Sequence, residues 1–237
     1  MDRSPRGTRS TYDRIADHFA QTREYAWPEV ESFLENREGV VGLDLGCGNG
    51  RHAELLAARC DSVVGLDISG GLLATAQERA RERDFGVELV QADAARLPLA
   101  TGSVDLAVYV ATVHHLPTRE ARRRSLDELA RVLSPDGTGL VSAWSTAHDR
   151  FDGEEPERSG GSSDSPAGER SDPRRRDTGF DTTVDWTLPG GETVPRFYHV
   201  YSPAEFDEDL GASDLAVVSS RVSSGNCYAT VTEQKRP

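Results

Sequence analysis

The sequence predicts an α/β fold built on a mostly parallel β-sheet covered by helices on both faces. Three observations carry that prediction. Apolar runs of strand length alternate with helix-period segments between residues 39 and 144, the pattern of a sheet buried on both sides. A glycine-rich turn, LDLGCGNGR, joins the first apolar run to the first helical segment that follows it. Two closing runs, LAVVSSRV and NCYATVTE, are separated only by SSG, which reads as an antiparallel hairpin.

Taken in order, residues 11–37 read as helical with a break before Pro28, and residues 1–38 form an N-terminal helical cap. GVVGLDL (39–45) is a buried strand. RHAELLAARC follows, with Ala53, Leu56, Ala57 and Cys60 at helical spacing on its core face. SVVGLDIS (62–69) is a second strand and LLATAQERARER a second helix; VELVQAD (87–93) and VDLAVYV (104–110) are the third and fourth strands. In TREARRRSLDELARVL, Leu126, Leu129, Ala130 and Leu133 share one helical face; SPDG stops that helix, and TGLVSAW (138–144) is a fifth strand. From 147 to 181 serine, glycine, proline and charge replace the pattern, which reads as a disordered loop insertion. Its triplet, Arg174, Arg175 and Arg176, either contacts phosphates or is a solvated charge run. After VDWTLPGGETVPRFYHVYS, the segment SPAEF offers Ser202 as N-cap, Pro203 at the first helical position and Glu205 to close a capping box. The whole of 1–237 reads as one domain.

Charge and cysteines limit the setting. Net charge is −13, and Lys235 is the only lysine among 27 basic residues. Such an acidic, arginine-only composition resembles proteins of salt-loving archaea. A net negative chain ordinarily argues against nucleic acid. At molar salt, however, the screening length falls to about 3 Å, so net charge does not decide the partner. Cys47, Cys60 and Cys227 are far apart and odd in number, which suits a reducing cytoplasm and lacks metal-ligand spacing. No run of eighteen apolar residues exists and MDRSPRGTRS is polar, so neither a membrane span nor a secretory signal is expected.

The glycine turn carries the chemistry. Gly46, Gly48 and Gly50 allow a tight turn and close approach of a ligand to the backbone, and Asp67 ends the second strand where it can accept hydrogen bonds from ribose hydroxyls. Strand, loop, helix and downstream acid all fall in order. Two ligands compete for such a turn, a dinucleotide and S-adenosylmethionine. The dinucleotide turn is normally G-x-G-x-x-G; here the third glycine arrives one residue early and follows D-L-G-C-G. That pattern resembles the first motif of class I S-adenosylmethionine-dependent methyltransferases. The resemblance implies a Rossmann-like seven-stranded sheet, mostly parallel, with a terminal antiparallel hairpin. It also implies a cofactor site drawn from Tyr12, Arg23, Asp44, Gly46, Cys47, Gly48, Gly50, Asp67, Ile68, Asp93, Ala94 and Val110. In that set Asp67 serves the ribose, Asp93 of QADA reaches the adenine, and Arg23 clamps the methionine carboxylate with Tyr12 nearby.

Three further segments narrow the family: YDRIADHFAQTREYAWPEVESFL, VATVHHLPTREARRRSLDELARVLSPDG and PRFYHVYSPAEF. Together they resemble the tRNA wobble-uridine carboxymethyl methyltransferases, which convert the carboxylate of 5-carboxymethyluridine to a methyl ester. An Asn-Pro-Pro-Tyr-like motif of amino-group methylases is missing after the fourth strand, and no cysteine is placed as a nucleophile for 5-methylcytosine chemistry. The resemblance implies tRNA as substrate and a small zinc-binding activator subunit pairing with the third strand, which should lie at the sheet edge. A small-molecule O-methyltransferase and a non-catalytic, cofactor-binding scaffold are the rival functions, since VATVHHL and LSPDG are ordinary in that fold.

A substrate carboxylate is already ionised at neutral pH, so the site needs a grip on it and no general base. His115, Arg196, Tyr198 and His199 are the candidate catalytic set, with His114 and Asn226 as substrate-binding residues. The histidine doublet lacks the spaced partners of a zinc site, and no metal is expected. Adjacent residues leaving a strand diverge, so one histidine of the pair faces the pocket and the other packs; His115 is the one favoured for function. His199 is either a substrate contact or a hydrogen-bonded structural histidine. Tyr198 and Tyr201 either stack on a flipped base or pack in the core. Asn226 orients substrate or makes a turn, Trp27 belongs to the core, and Arg122, Arg123 and Arg124 either form a solvated helix face or contact phosphates.

Overall fold

The computed structural model describes residues 2–151 and 178–234. Two helices open the chain, α1 (Pro5–Gln21) and α2 (Pro28–Leu34). Ser4 caps α1 by accepting from Gly7 N–H, and a proline sits in the first turn of each helix, where its missing N–H costs nothing. Next come β1 (Gly39–Leu45), α3 (Arg51–Ala57), β2 (Cys60–Asp67), α4 (Gly70–Arg83), β3 (Glu88–Gln91) and β4 (Val104–Tyr109). A 3₁₀ turn (Val113–His115) leads to α5 (Arg119–Val132) and β5 (Leu133–Trp144). After the undescribed stretch come β6 (Phe180–Thr187), β7 (Thr193–Val200), α6 (Pro203–Gly211), β8 (Leu215–Ser223) and β9 (Asn226–Glu233).

Seven strands form the main sheet in the order β3-β2-β1-β4-β5-β9-β8. β1 pairs parallel with both β2 and β4, β4 pairs parallel with β5, and β9 runs antiparallel to β5 and β8. This is the mostly parallel sheet with a terminal hairpin that the sequence predicts, and β3 lies at its edge. The order reverses between β1 and β4, so connections leave their carboxyl ends in opposite directions and open a crevice there. The central strands are apolar on both faces: Leu43, Leu45, Ala107, Val108 and Tyr109 are fully buried.

Several local expectations need correction. The helix after β1 ends at Ala57, and Cys60 opens β2 instead of completing a helical face. SPDG does not stop α5 and precede a strand; β5 begins at Leu133 and runs through it, with a register shift against β4 between Val104 and Leu106. Residues 147–151 and 178–181 are ordered, in a 3₁₀ turn (Asp149–Phe151) and the start of β6. The remainder of the expected loop, including Arg174–176, lies outside the described residues. Residues 122–124 are not one solvated face. Arg122 is 3% exposed, lies over the Tyr201 ring at 5.3 Å and sits 3.6 Å from Glu205. Arg123 joins Asp209 at 2.8 Å, and only Arg124 is exposed, paired one turn back with Glu120.

β6 and β7 form a separate two-stranded sheet. It joins the main body where Tyr201 exchanges backbone hydrogen bonds with Trp144 and Thr146. The hairpin and α1 together stand over the crevice. α1 is tied down by Asp13, whose carboxylate accepts from Ser69 Oγ (2.7 Å) and Gly71 N (3.0 Å) at the start of α4, where the helix dipole favours an anion.

Candidate functional site

A cavity of about 440 Å³ occupies the crevice, within the size range of small-molecule and cofactor sites. One end is built by the loops after β1, β2 and β3. Gly46 turns there with φ +75°, and a Cβ on it would lie 2.1 Å from Thr112 Oγ1, so the loops after β1 and β4 touch only because this residue has no side chain. Gly46 and Cys47 both donate backbone N–H to Leu66 O, which fixes the loop on β2. Asp67 receives Gly48 N–H on one oxygen and Ser69 N–H on the other, each at 2.9 Å. Its burial raises the carboxyl above the usual range despite those bonds. Two oriented oxygens at the end of β2 suit a diol. Ile68, Ala94 and Val110 add apolar walls, and Asp93 stands beside them with Oδ1 accepting Ala95 N–H.

Arg23 and Arg51 also line the cavity, and neither has a carboxylate within ion-pair distance among the described residues. Arg23 lies over Phe19 and Trp186, at 5.5 and 5.3 Å, and Arg51 lies over Trp27 at 5.7 Å. Burial first, then the nearby Arg23 charge, lowers Arg51 to about 10. Both guanidinium groups are therefore available to an anionic group in the cavity.

The other end is aromatic. His115 Nδ1 lies 3.0 Å from Phe197 O, an obligate acceptor, so Nδ1 carries the proton. Its Nε2 therefore accepts, and Tyr12 Oη–H donates to it at 2.9 Å. In His114 the order is reversed: Nδ1 accepts Trp144 N–H at 2.9 Å, which leaves the proton on Nε2. Burial holds both rings neutral, His115 at about 3 and His114 well below its ordinary value. Tyr198 packs edge-on against His115 (4.5 Å between ring centres) and Trp144 (5.1 Å), and tilted against His114 (5.1 Å). Arg196, 8% exposed, lies over Trp186 and Tyr198, and its Nε is buried without a partner.

The structure thus brings Tyr12, Arg23, Gly46, Cys47, Gly48, Asp67, Ile68, Asp93, Ala94, Val110, His114, His115, Arg196, Tyr198 and Asn226 to one cavity. Both histidines of the doublet face it, where only one was expected, and both ring nitrogens of His115 are already engaged. Asp44, Gly50 and His199 do not line it. Asp44, within β1, is 1% exposed, and burial lifts its carboxyl to about 7. Gly50 packs on Ala76 of α4. His199 points to the opposite side of β7, between Asp181 and Glu205. Tyr201 is core and bonds Asp209. Sequence reasoning missed Arg51, Thr112 and Asn49; Trp27, expected in the core, packs against it and also lines the cavity. Arg51 directly follows the third glycine and carried a readable signal.

Comparisons with known proteins agree with this geometry. Residues 43–141 match a family model described as a methyltransferase domain. The chain is 40% identical over 134 residues to a tRNA (carboxymethyluridine(34)-5-O)-methyltransferase of Arabidopsis thaliana, covering 56% of this chain and 31% of that protein. The chain therefore spans under a third of that relative's length. Among solved structures, the DhpI-SAM-HEP complex superposes with TM-score 0.68 at 20% identity, over 98% of this chain and 97% of that one. The complex between the Haloferax volcanii Trm112 methyltransferase activator and the putative methyltransferase superposes with TM-score 0.65 at 15% identity, over 97% and 99%. Sheet order, glycine turn and structural likeness converge: the chain has the Rossmann-like fold of class I methyltransferases, and residues 43–141 match a methyltransferase domain.

Proposed function

We propose that the protein is an S-adenosylmethionine-dependent methyltransferase that esterifies the carboxylate of 5-carboxymethyluridine at the tRNA wobble position. The single observation behind this reading is Arg196. A buried guanidinium with no carboxylate partner among the described residues, near His114 and Tyr12, is a receptor for a substrate carboxylate. The residues at the other end fit the cofactor: Asp67 for the ribose, Ile68, Ala94, Val110 and Asp93 around the base, and Arg23 with Arg51 for the amino-acid carboxylate. S-adenosylmethionine supplies an electrophilic methyl on a sulfonium. The chain's own work is to hold the acceptor in line. The acceptor is ionised already, so no base is needed. Arg196 balances its charge, while neutral His114 and His115 add no second cation that would hold the carboxylate too tightly. The aromatic walls keep water out, which favours a step in which opposite charges annihilate.

An activator subunit is part of the proposal. β3 is a short edge strand with its outer backbone unpaired by any other strand of the sheet, and such an edge can accept a strand from a partner. The test is transfer of labelled methyl to tRNA carrying unesterified carboxymethyluridine, with and without an added activator. Base-labile methyl ester on the wobble nucleoside, seen by nucleoside mass spectrometry, is the expected result. Transfer to small carboxylic acids but never to tRNA would instead favour a small-molecule O-methyltransferase, and cofactor binding without any transfer would favour a scaffold.

A further inference from the structure

The hairpin that carries Arg196 and Tyr198 is outside the main sheet and meets its backbone, among the described residues, through the bridge at Tyr201, so side-chain contacts must help hold its register over the cavity. We propose that His199 is the positioning residue that does so, as a doubly hydrogen-bonded pin between Asp181 and Glu205. The inference rests on the acceptor role given to Arg196 above, and it adds a residue that touches neither cofactor nor acceptor.

The geometry is specific. Nδ1 of His199 lies 2.8 Å from Asp181 Oδ1, and Nε2 lies 3.0 Å from Glu205 Oε1. Asp181 stands directly opposite His199 in the β6–β7 register. Glu205 lies in the first turn of α6, and its second oxygen accepts Gly179 N–H just before β6. One ring therefore joins both strands of the hairpin to the helix that follows. A neutral imidazole has one N–H and one lone pair, and a lone pair aimed at a carboxylate oxygen is repulsive. Two carboxylate acceptors require two N–H donors, so the ring is an imidazolium.

Its surroundings keep that charge in place. Arg122 of α5 lies 3.6 Å from Glu205, Arg3 pairs with Asp181 at 3.1 Å, and the Tyr201 ring packs edge-on at 4.7 Å. His114, across β7, is neutral. Glu205 is held below the usual carboxylate range: His199 and the neighbouring arginines outweigh its burial, so it stays ionised. Because side chains alternate along a strand, pinning His199 on one face fixes Tyr198 and Arg196 on the other.

Two measurements on the full chain decide this. ¹⁵N spectra of the unaltered protein should show both nitrogens of His199 protonated at neutral pH, and Asp181→Ala should return the ring to the neutral pattern, since one acceptor is gone. His199→Gln should raise the acceptor KM roughly tenfold, with kcat and S-adenosylmethionine affinity within about twofold. A neutral ring in the unaltered protein or an unchanged KM in the variant would overturn the proposal. If the unaltered chain methylates no tRNA, the functional reading fails separately. The ¹⁵N spectra, with hydrogen exchange of the β7 amides, then still test the pin: faster exchange in His199→Gln is expected, and unchanged protection overturns it. Should His199→Gln not fold, Asp181→Ala serves for both measurements, because the Asp181 side chain is 38% exposed.

Discussion

Tyr12 and His115 are 103 residues apart in the chain and 2.9 Å apart in space, with the phenol donating to the imidazole Nε2. The direction of that bond is set by Phe197, whose carbonyl takes the only proton of the His115 ring. One side-chain pair therefore links α1, the turn after β4 and strand β7, the three elements that enclose the acceptor end. Tyr12→Phe leaves a buried ring nitrogen without a donor, which costs about 1–3 kcal/mol. Urea unfolding should show that loss. Combining Tyr12→Phe with His115→Ala should cost clearly less than the sum of the two single changes, because both delete the same bond. Strict additivity would mean the bond is not formed in solution.

Arg196→Met tests the acceptor end. Removing one partner of a desolvated charge pair costs about 2–5 kcal/mol, so kcat/KM for the carboxylate acceptor should fall by roughly 10²-fold or more. Calorimetric binding of S-adenosylmethionine should stay within about twofold, since Arg23 and Arg51 serve that end of the cavity. Arg196→Lys should recover part of the loss at best, because an ammonium lacks the planar fork. Equal losses in acceptor and cofactor binding would place Arg196 in the cofactor site or in the fold.

Much of the architecture was legible because its signals are local. The strand, glycine turn and helix at 39–57 follow each other in sequence, and Asp67 ends β2 where a ribose-binding acid was expected. Errors arose where one local pattern served two elements. Cys60 keeps the helical spacing of Ala53 and Leu56, yet the chain leaves the helix at Ala57 because a turn through Ala58 and Arg59 feeds β2. The β6–β7 hairpin was invisible as a separate sheet, since a hairpin's placement depends on what it packs against. The same limit applies to His199. Its neighbours Tyr198 and Arg196 face the cavity, but only the register with Asp181 and the start of α6 reveal that His199 turns away.

Asp44 gives a pH prediction with a definite sign. Burial raises its folded-state pKa from 3.8 to about 7, outweighing the Ala53 N–H it accepts. The stabilisation tied to its protonated form is complete below about pH 4 and is lost as pH rises through 7. At pH 8 the buried charge therefore carries a penalty of up to roughly 4 kcal/mol. Asp44→Asn keeps an acceptor for Ala53 without the charge, so it should stabilise the fold. The gain, read from chemical denaturation, should grow from pH 5 to pH 8 and level off above. A constant gain across that range would mean that Asp44 does not titrate there.

Gly46→Ala tests whether the contact between the β1 and β4 loops makes the cofactor end. Alanine there meets two separate obstacles. Its backbone must keep φ at +75°, which costs about 1–2 kcal/mol for a residue with a Cβ. The new methyl would also lie 2.1 Å from Thr112 Oγ1 and 2.3 Å from its Cγ2, a distance no rotation of a β-branched side chain fully relieves. One loop must therefore move, and either movement displaces what lines the cavity: Cys47 and Gly48 on one side, Ala111 and the histidine doublet on the other. S-adenosylmethionine affinity should fall at least tenfold, with the fold kept, since the far face of the sheet is untouched. The double variant Gly46→Ala with Thr112→Gly removes the steric part but leaves the backbone strain. Partial recovery of binding is the expected result; no recovery would assign the whole effect to the backbone, and unimpaired binding in Gly46→Ala alone would mean the loops do not meet as described.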